Sequence, residues 1–237
     1  MHPQSWPANP VAGPDHSRWP VAARQPGTAT ATPVPPVMMR VSNVSKRFGR
    51  REVLREVNMQ VRAGEVAAVV GANGAGKSTF LKICAGLISP TDGQVEVYGS
   101  IGYCPQVGGT FDFLRAKEHF TLFGRGAGLD RGNAVRRGTE IAGMLDWQPD
   151  MKTEARHLSG GTRQKLNVVL SILGGHDVLL LDEPYQGFDK GSYTDFWDVI
   201  WRLRASGRAV LVVTHMLNEL DRVDQVLDLT PQRRAAR

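Results

Sequence analysis

Residues 71–79 read Gly71-Ala72-Asn73-Gly74-Ala75-Gly76-Lys77-Ser78-Thr79. This stretch fits the phosphate-binding P-loop pattern, in which spaced glycines are followed by Lys and Ser or Thr. It comes after a short apolar run at residues 65–70, which predicts a buried strand, and it opens a predicted helix over residues 77–85. Because a strand, a glycine loop and a helix in this order are the context that phosphate binding requires, the alternative of a plain glycine turn is disfavoured.

The residue types in this loop predict how a nucleotide is held. Glycines let backbone N–H groups turn toward phosphate oxygens, and the helix N-terminus adds positive potential. We expect Lys77 to reach the β and γ phosphates and Ser78 to ligate Mg²⁺. The predicted nucleotide-binding residues of the loop are Gly71, Asn73, Gly74, Ala75, Gly76, Lys77, Ser78 and Thr79.

Two adjacent acids, Asp182 and Glu183, follow the apolar run at residues 178–181. Side-chain alternation or a turn would aim their carboxylates differently, so their roles can differ. We expect Asp182 to hold the magnesium shell and Glu183 to accept a proton from the attacking water or to orient it. Acids at strand ends are common in α/β proteins, and it is the P-loop upstream that favours the catalytic interpretation.

A second helix start lies at residues 158–162, which read Leu158-Ser159-Gly160-Gly161-Thr162. Ser159 suits the N-cap position, and the two glycines expose backbone donors. These features predict a second anion site that has no lysine of its own. Composition alone leaves a plain helix cap open.

Composition divides the chain near residue 36. Residues 1–36 hold nine of the 14 prolines, and such a segment buries too little apolar surface to offset its ordering entropy. We therefore predict a disordered, Pro-rich tail over residues 1–36 and one folded domain over residues 37–237.

Strands and helices alternate along the rest of the chain. Residues 37–44 and 57–61 are predicted strands joined by an Arg-rich turn, whereas residues 107–157 favour short amphipathic helices. The apolar runs 178–181 and 209–213 predict buried strands with a helix between them. This order implies an α/β fold whose mainly parallel sheet is covered by helices on both faces.

Charge and composition weigh against several other classes of protein. The net charge is +6, but the basic residues are scattered and no basic stripe is interleaved with aromatics, so a solvated surface is favoured over a nucleic-acid partner. Cys84 and Cys104 lack metal-ligand spacing, which predicts buried or free thiols. No apolar run reaches the length of a membrane span and no signal-peptide pattern opens the chain, so we expect a cytoplasmic protein.

Together these motifs resemble the nucleotide-binding domains of ABC transporters. The Ser159 stretch is similar to the signature of that family and lies between the P-loop and the acid pair, as it does in the family. The resemblance covers nearly all of residues 37–230. It implies a P-loop NTPase core with a small antiparallel β lobe and a helical subdomain inserted at about residues 107–157, with ATP and Mg²⁺ as cofactors.

The resemblance also implies further site residues. Gln106 looks like the glutamine that touches Mg²⁺ and the lytic water, and His215 looks like the switch histidine. Phe48 resembles the aromatic that stacks on adenine, and Asp189 the aspartate that communicates between two sites. Without the resemblance, His215 and Phe48 would be interpreted as structural residues. The implied sets are Glu183, His215, Gln106 and Lys77 for catalysis; Ser78, Gln106 and Asp182 for the metal; and Phe48, Ser159, Gly160, Gly161 and Asp189, beside the P-loop, for the nucleotide.

Partners follow from the same resemblance. It implies a head-to-tail dimer with a second copy or a paralogous ATPase subunit, in which each ATP lies between the P-loop of one chain and the Ser159 loop of the other. It also implies a separate membrane permease at the inner face of the cell membrane, and a cassette without a regulatory extension is more similar to exporters than to sugar importers. Tyr185 and Gln186 depart from the Thr and Ser that the family often has.

Two alternatives remain at this stage. The first is a non-transport ABC ATPase that acts on nucleic acid or the ribosome; such proteins commonly have two cassettes or a coiled-coil insertion, and neither is found here. The second is a module that binds ATP without hydrolysing it, against which Glu183, Gln106 and His215 count.

Overall fold

The computed structural model describes residues 34–215 and 220–230. Most of the predicted Pro-rich tail, residues 1–33, therefore lies outside the described residues, as do residues 216–219 and 231–237. The first strand begins at Val37. Within the described ranges, no helix combines the length and the apolar character that crossing a membrane requires.

A three-stranded antiparallel sheet opens the fold, in the order β2-β1-β4. Its strands are β1 (Val37–Phe48), β2 (Arg51–Arg62) and β4 (Asp92–Val97). The first two are longer than the sequence predicted, and their turn is reduced to residues 49–50. The reason is that β1 and β2 pair to their ends, with Arg47 opposite Glu52 and Phe48 opposite Arg51. Charged residues on an exposed strand face were mistaken for a turn.

A five-stranded parallel sheet forms the centre of the domain, in the order β5-β6-β7-β3-β8. Its strands are β3 (Val66–Val70), β5 (Ile101–Cys104), β6 (Val178–Asp182), β7 (Ala209–Val213) and β8 (Gln225–Asp228). All five residues of β6 and of β7 are buried, as their continuous apolar runs predicted. Because the strands are parallel, the loops after β3, β6 and β7 leave the same edge of the sheet from neighbouring strands.

Five helices complete the described fold. They are α1 (Lys77–Cys84), α2 (Ala116–Gly126), α3 (Arg131–Met144), α4 (Gly160–Leu173) and α5 (Lys190–Ala205). The α2 and α3 helices lie in the region predicted to be helical, and Phe120 and Ile141 are among their buried apolar residues. The two cysteines are free and buried, and burial raises the pKa of the Cys84 thiol to about 12, so this thiol stays protonated at neutral pH.

Candidate active site

The phosphate loop links the end of β3 to the start of α1. Its three glycines adopt positive φ angles, 144° at Gly71, 80° at Gly74 and 98° at Gly76, which L side chains rarely adopt. A Cβ at Gly76 would lie only 2.9 Å from Val53 Cγ1, so this glycine also lets the loop pack directly on β2. Glycine at these positions therefore lets the loop take this shape without backbone strain.

Lys77 is the first residue of α1, and only 7% of its surface is exposed. Its Nζ donates to the backbone oxygens of Gly71 at 2.8 Å and Ala72 at 3.3 Å. The loop thus holds the ammonium group beside the backbone that is shaped to surround phosphate. In this position it can exchange carbonyl partners for phosphate oxygens at little cost in side-chain entropy.

The two acids at the end of β6 differ in burial and in backbone conformation. Asp182 ends the strand with 1% exposure, whereas Glu183 has a φ of 46°, and this left-handed residue turns the chain out of the strand. The Glu183 Oε2 lies 3.3 Å from His215 Nδ1. Glu183 and His215 both line the cleft in front of the phosphate loop, together with Gln106. Residues that follow four strands, β3, β5, β6 and β7, thus line one cleft.

Asp182 and Ser78 make the local chemistry suitable for a magnesium ion. Burial raises the pKa of Asp182, and the hydrogen bond from the Ser78 hydroxyl opposes that rise. The Oδ1 atom of Asp182 is buried and has no hydrogen-bond partner, and oxygen ligands are those that Mg²⁺ prefers. No group of three or more His, Cys, Asp or Glu side chains among the described residues is arranged to hold a metal ion.

Phe48 lies at the mouth of the same cleft and is 51% exposed. The Lys46 Nζ lies 5.0 Å from the centroid of its ring. The structure thus places the Phe48 ring in the lining of this cleft, and its stacking on a base stays a prediction from the resemblance. The residues that line this cleft are Phe48, Arg51, Val53, Asn73, Gly74, Gly76, Lys77, Ser78, Thr79, Gln106, Glu183, Gln186 and His215.

The signature loop is separate from this cleft. Ser159 caps α4, where its Oγ accepts a hydrogen bond from the Thr162 backbone N–H at 3.2 Å. Gly160 and Gly161 instead line a second, largely apolar groove. The structure therefore does not bring the Ser159 loop to the phosphate-loop cleft of its own chain, which is called the ATP cleft below.

Asp189 is likewise absent from the lining of the cleft. Its carboxylate caps α5 and accepts a hydrogen bond from the Ser192 backbone N–H at 2.8 Å.

The sequence was compared with models of known protein families. A sequence-family profile described as "ABC transporter" matches residues 54–186, which is more than half of the 237 residues. The chain belongs to the ABC transporter family. The ATP-binding, ATPase character that the phosphate loop and the acid pair predicted is therefore that of the family.

Relatives in this family come from distant organisms. An uncharacterized ABC transporter ATP-binding protein of Methanocaldococcus jannaschii is 34% identical over 199 residues, which cover 81% of this chain and 73% of that protein. The human phospholipid-transporting ATPase ABCA3 is 31% identical over 77% of this chain, and the mouse cholesterol transporter ABCA5 is also 31% identical over 77%. The chain spans about 12% of the length of each of these two mammalian relatives.

Solved structures of ABC transporter cassettes confirm the predicted fold. An ATP-binding subunit of an ABC transporter superposes with a TM-score of 0.74 at 26% identity, covering 81% of this chain and 86% of that one. A dimeric bacterial ABC transporter cassette gives the same TM-score at 23% identity, covering 81% and 94%. These relatives favour a transport ATPase over one that acts on nucleic acid or the ribosome.

Three residues of this ABC cassette were not assigned a role from sequence. Gln186 lines both the ATP cleft and the apolar groove. Tyr185 is buried, its hydroxyl is hydrogen-bonded to the Thr214 hydroxyl, and its ring lies 6.3 Å from that of His215. Arg51 reaches the cleft from the hairpin that carries Phe48. The Tyr185–Thr214 contact joins residues 29 positions apart, so no local sequence pattern predicts it.

Proposed function

We propose that this chain hydrolyses Mg-ATP as the cytoplasmic motor of an ABC exporter and acts on a separate membrane permease. The observation that carries the proposal is the meeting of the phosphate loop, Glu183 and His215 at one cleft. The phosphate loop follows β3, Glu183 follows β6 and His215 follows β7. These are neighbouring strands of the parallel sheet.

We assign phosphate and metal binding to the phosphate loop and the residues beside it. The loop backbone and Lys77 surround the phosphates, and Ser78, Asp182 and Gln106 hold the magnesium shell. The bound ion would neutralise phosphate charge in the transition state. The unpartnered Asp182 Oδ1 supports this assignment.

Glu183 is proposed to act on the attacking water. Its side chain is 12% exposed, and it lies 3.3 Å from His215. A carboxylate in this position can accept a proton or orient the water, while the His215 ring fixes the carboxylate and contacts the phosphate end of the cleft. Activity then depends on the distance between two residues that lie 32 positions apart.

A second chain would complete the site. The Ser159 loop caps its own helix and does not line the cleft of its own chain, so its exposed backbone donors are available to a nucleotide on another protomer. We propose a head-to-tail dimer with a second copy or a paralogous subunit, in which Ser159, Gly160 and Gly161 close over the partner's ATP and Asp189 lies near the junction.

The apolar groove is the proposed docking surface for the permease. It runs from Gln106 past Phe113 to α2 and α4. Val107 is 85% exposed and Phe113 is 71% exposed, and exposed apolar residues grouped around a groove mark interaction sites. Because Gln106 and Gln186 line both this groove and the ATP cleft, a cytoplasmic segment of the permease seated here would contact the catalytic loops.

The test is the variant Glu183→Gln in the full chain. We expect ATP binding to persist, the hydrolysis rate to fall by at least about 100-fold because the water loses its base, and ATP to drive dimer formation in sedimentation. Glu56→Gln is the matched control, since Glu56 has the same φ of 46° and does not line the ATP cleft. It should hydrolyse ATP at the wild-type rate.

Two results would contradict the proposal. A wild-type chain that binds ATP without Mg-dependent hydrolysis, alone or with its permease, would be a binding module. Hydrolysis that is unchanged in Glu183→Gln would assign the water-activating role to another group.

A further inference from the structure

We infer that Arg51 is a phosphate-binding residue of the ATP cleft, and that it reaches the polyphosphate from the antiparallel sheet. The inference deepens the proposed function and rests on it. The ligand class is a nucleoside triphosphate, recognised through its phosphate chain and not through its base.

Geometry places Arg51 beside the phosphate loop. It is the first residue of β2 and pairs with Phe48 across the hairpin turn. Its Nη2 lies 3.8 Å from the position that a Cβ would occupy at Gly74, which is the middle glycine of the loop. Arg51 therefore lines the cleft together with Gly74 and Lys77.

Among the described residues, no carboxylate forms an ion pair with the Arg51 guanidinium. Within that part of the chain it also makes no side-chain hydrogen bond. Its hairpin neighbour Arg47, in contrast, pairs with Glu52 at 3.2 Å, and Lys46 donates to the Ser89 backbone oxygen at 2.7 Å. Arg51 is thus the cation of this hairpin that faces the cleft without a partner.

The phosphate chain of the nucleotide is the ligand that suits the Arg51 guanidinium. A guanidinium binds phosphate oxygens through parallel N–H donors, and the Gly74 backbone beside it belongs to the loop that surrounds those oxygens. Lys77 approaches from the helix side of the loop, where two carbonyls hold its ammonium. Arg51 approaches from the hairpin side, so that the two cations would contact the phosphate chain from different elements.

The experiment compares Arg51→Gln with Arg50→Gln in the full chain. Arg50 is the adjacent exposed residue of the turn and does not line the cleft, so the two variants lose the same charge. Binding of ATP, 2′-deoxy-ATP and GTP is measured by calorimetry. We expect Arg51→Gln to weaken all three ligands by a similar factor of about ten, as for one charge-assisted hydrogen bond at a partly screened position. Arg50→Gln should stay within about twofold of wild type, and Arg51→Lys should fall between them.

Other binding results would show which part of the assignment of Arg51 is wrong. Equal affinities for the Arg51→Gln and Arg50→Gln variants would overturn the inference. A loss seen with ATP but not with 2′-deoxy-ATP would assign Arg51 to the ribose, and a loss absent with GTP would assign it to the base. If wild type binds ATP and Lys77→Ala does not, the ATP site on which the proposed function rests stands whatever Arg51 does. If wild type binds none of the three ligands, both fail.

Discussion

His119 is a fully buried histidine with both ring nitrogens engaged. Its Nε2 accepts the Phe111 backbone N–H at 2.9 Å, and its Nδ1 lies 3.0 Å from the Arg115 backbone oxygen. Since Nε2 must be an acceptor, Nδ1 carries the proton and the ring is neutral. His119 therefore ties Phe111, which lines the apolar groove, to α2.

Acid should weaken the fold through this residue. Burial lowers the pKa of His119 below its ordinary value of 6.5, although the Arg115 carbonyl and the Glu118 charge oppose the shift. The unfolded chain therefore binds the proton first as pH falls, so the stabilising contribution is complete above pH 6.5 and declines below it, toward the lower pKa of the folded state. His119→Gln should flatten the decline in urea stability between neutral pH and about pH 5.

His157→Gln is the control, because His157 is exposed on the short 3₁₀ turn Ala155–His157. It should leave the slope of stability against pH unchanged. Burial also lowers the pKa of His176, so a residual slope is expected in both variants. Identical slopes in His119→Gln and His157→Gln would contradict the assignment.

At the scale of elements, α2 and α3 approach each other through glycines. A Cβ at Gly138 would lie 2.4 Å from Phe120 Cγ, and one at Gly124 would lie 2.4 Å from Ala134 Cβ. Phe120 is fully buried, so its ring has little room to move. The helical subdomain that carries the groove depends on this close contact.

Adding one methyl group here should destabilise the protein. Gly138→Ala gains about 1 kcal/mol in helix propensity, but overpacking costs about 1–3 kcal/mol, and a 2.4 Å contact with a buried ring favours the larger cost. We expect a net loss of about 1–2 kcal/mol in the free energy of unfolding, measured with denaturant.

The same substitution elsewhere on α3 provides the comparison. A Cβ at Gly143 would meet nothing closer than Gln148 Nε2 at 4.0 Å, so Gly143→Ala should be neutral or stabilise by up to about 1 kcal/mol. If Gly138→Ala were as stable as Gly143→Ala, α2 and α3 would not be packed through glycine.

Across the whole molecule, the two helix starts that are proposed to bind anions lie in different places. The one at Lys77 lines the ATP cleft, whereas the one at Ser159 does not. In the proposed two-fold dimer, one site would take the Lys77 helix start from one chain and the Ser159 helix start from the other. A site built within a single chain would not give the result predicted next.

Mixing two inactive variants should restore hydrolysis. Homodimers of Lys77→Ala or of Ser159→Phe carry the same lesion in both sites and should be nearly inactive. In their heterodimer one site joins an intact Lys77 to an intact Ser159, so a doubly tagged, purified species should recover up to about half of the wild-type rate.

A heterodimer that forms but stays inactive leaves two causes, which nucleotide trapping separates. A shared site should still occlude one labelled ATP per dimer even if the two sites cannot hydrolyse singly. If no ATP is occluded, the phosphate loop of one chain and the Ser159 loop of the other do not form one site, and the proposed head-to-tail dimer is wrong.

Local chemistry in the sequence was sufficient to predict much of this protein. The phosphate loop, the Ser159 cap and the buried strands at 178–182 and 209–213 are specified by glycine spacing, capping and continuous apolar runs, all of which act over a few residues. The short strands β5 and β8, with four residues each, were not predicted. Such brief segments form strands only where a neighbouring strand is present to pair with them, and local sequence does not show that neighbour.

Tertiary structure alone decided how distant residues meet. The Glu183–His215 distance depends on β6 lying beside β7, the Tyr185–Thr214 contact crosses between the loops after those strands, and Arg51 reaches Gly74 because β2 covers the phosphate loop. The Ser159 loop carries a recognisable motif, yet its separation from its own cleft is visible only in space. A linear pattern records which groups are present, but strand order and packing set the distances on which their chemistry depends.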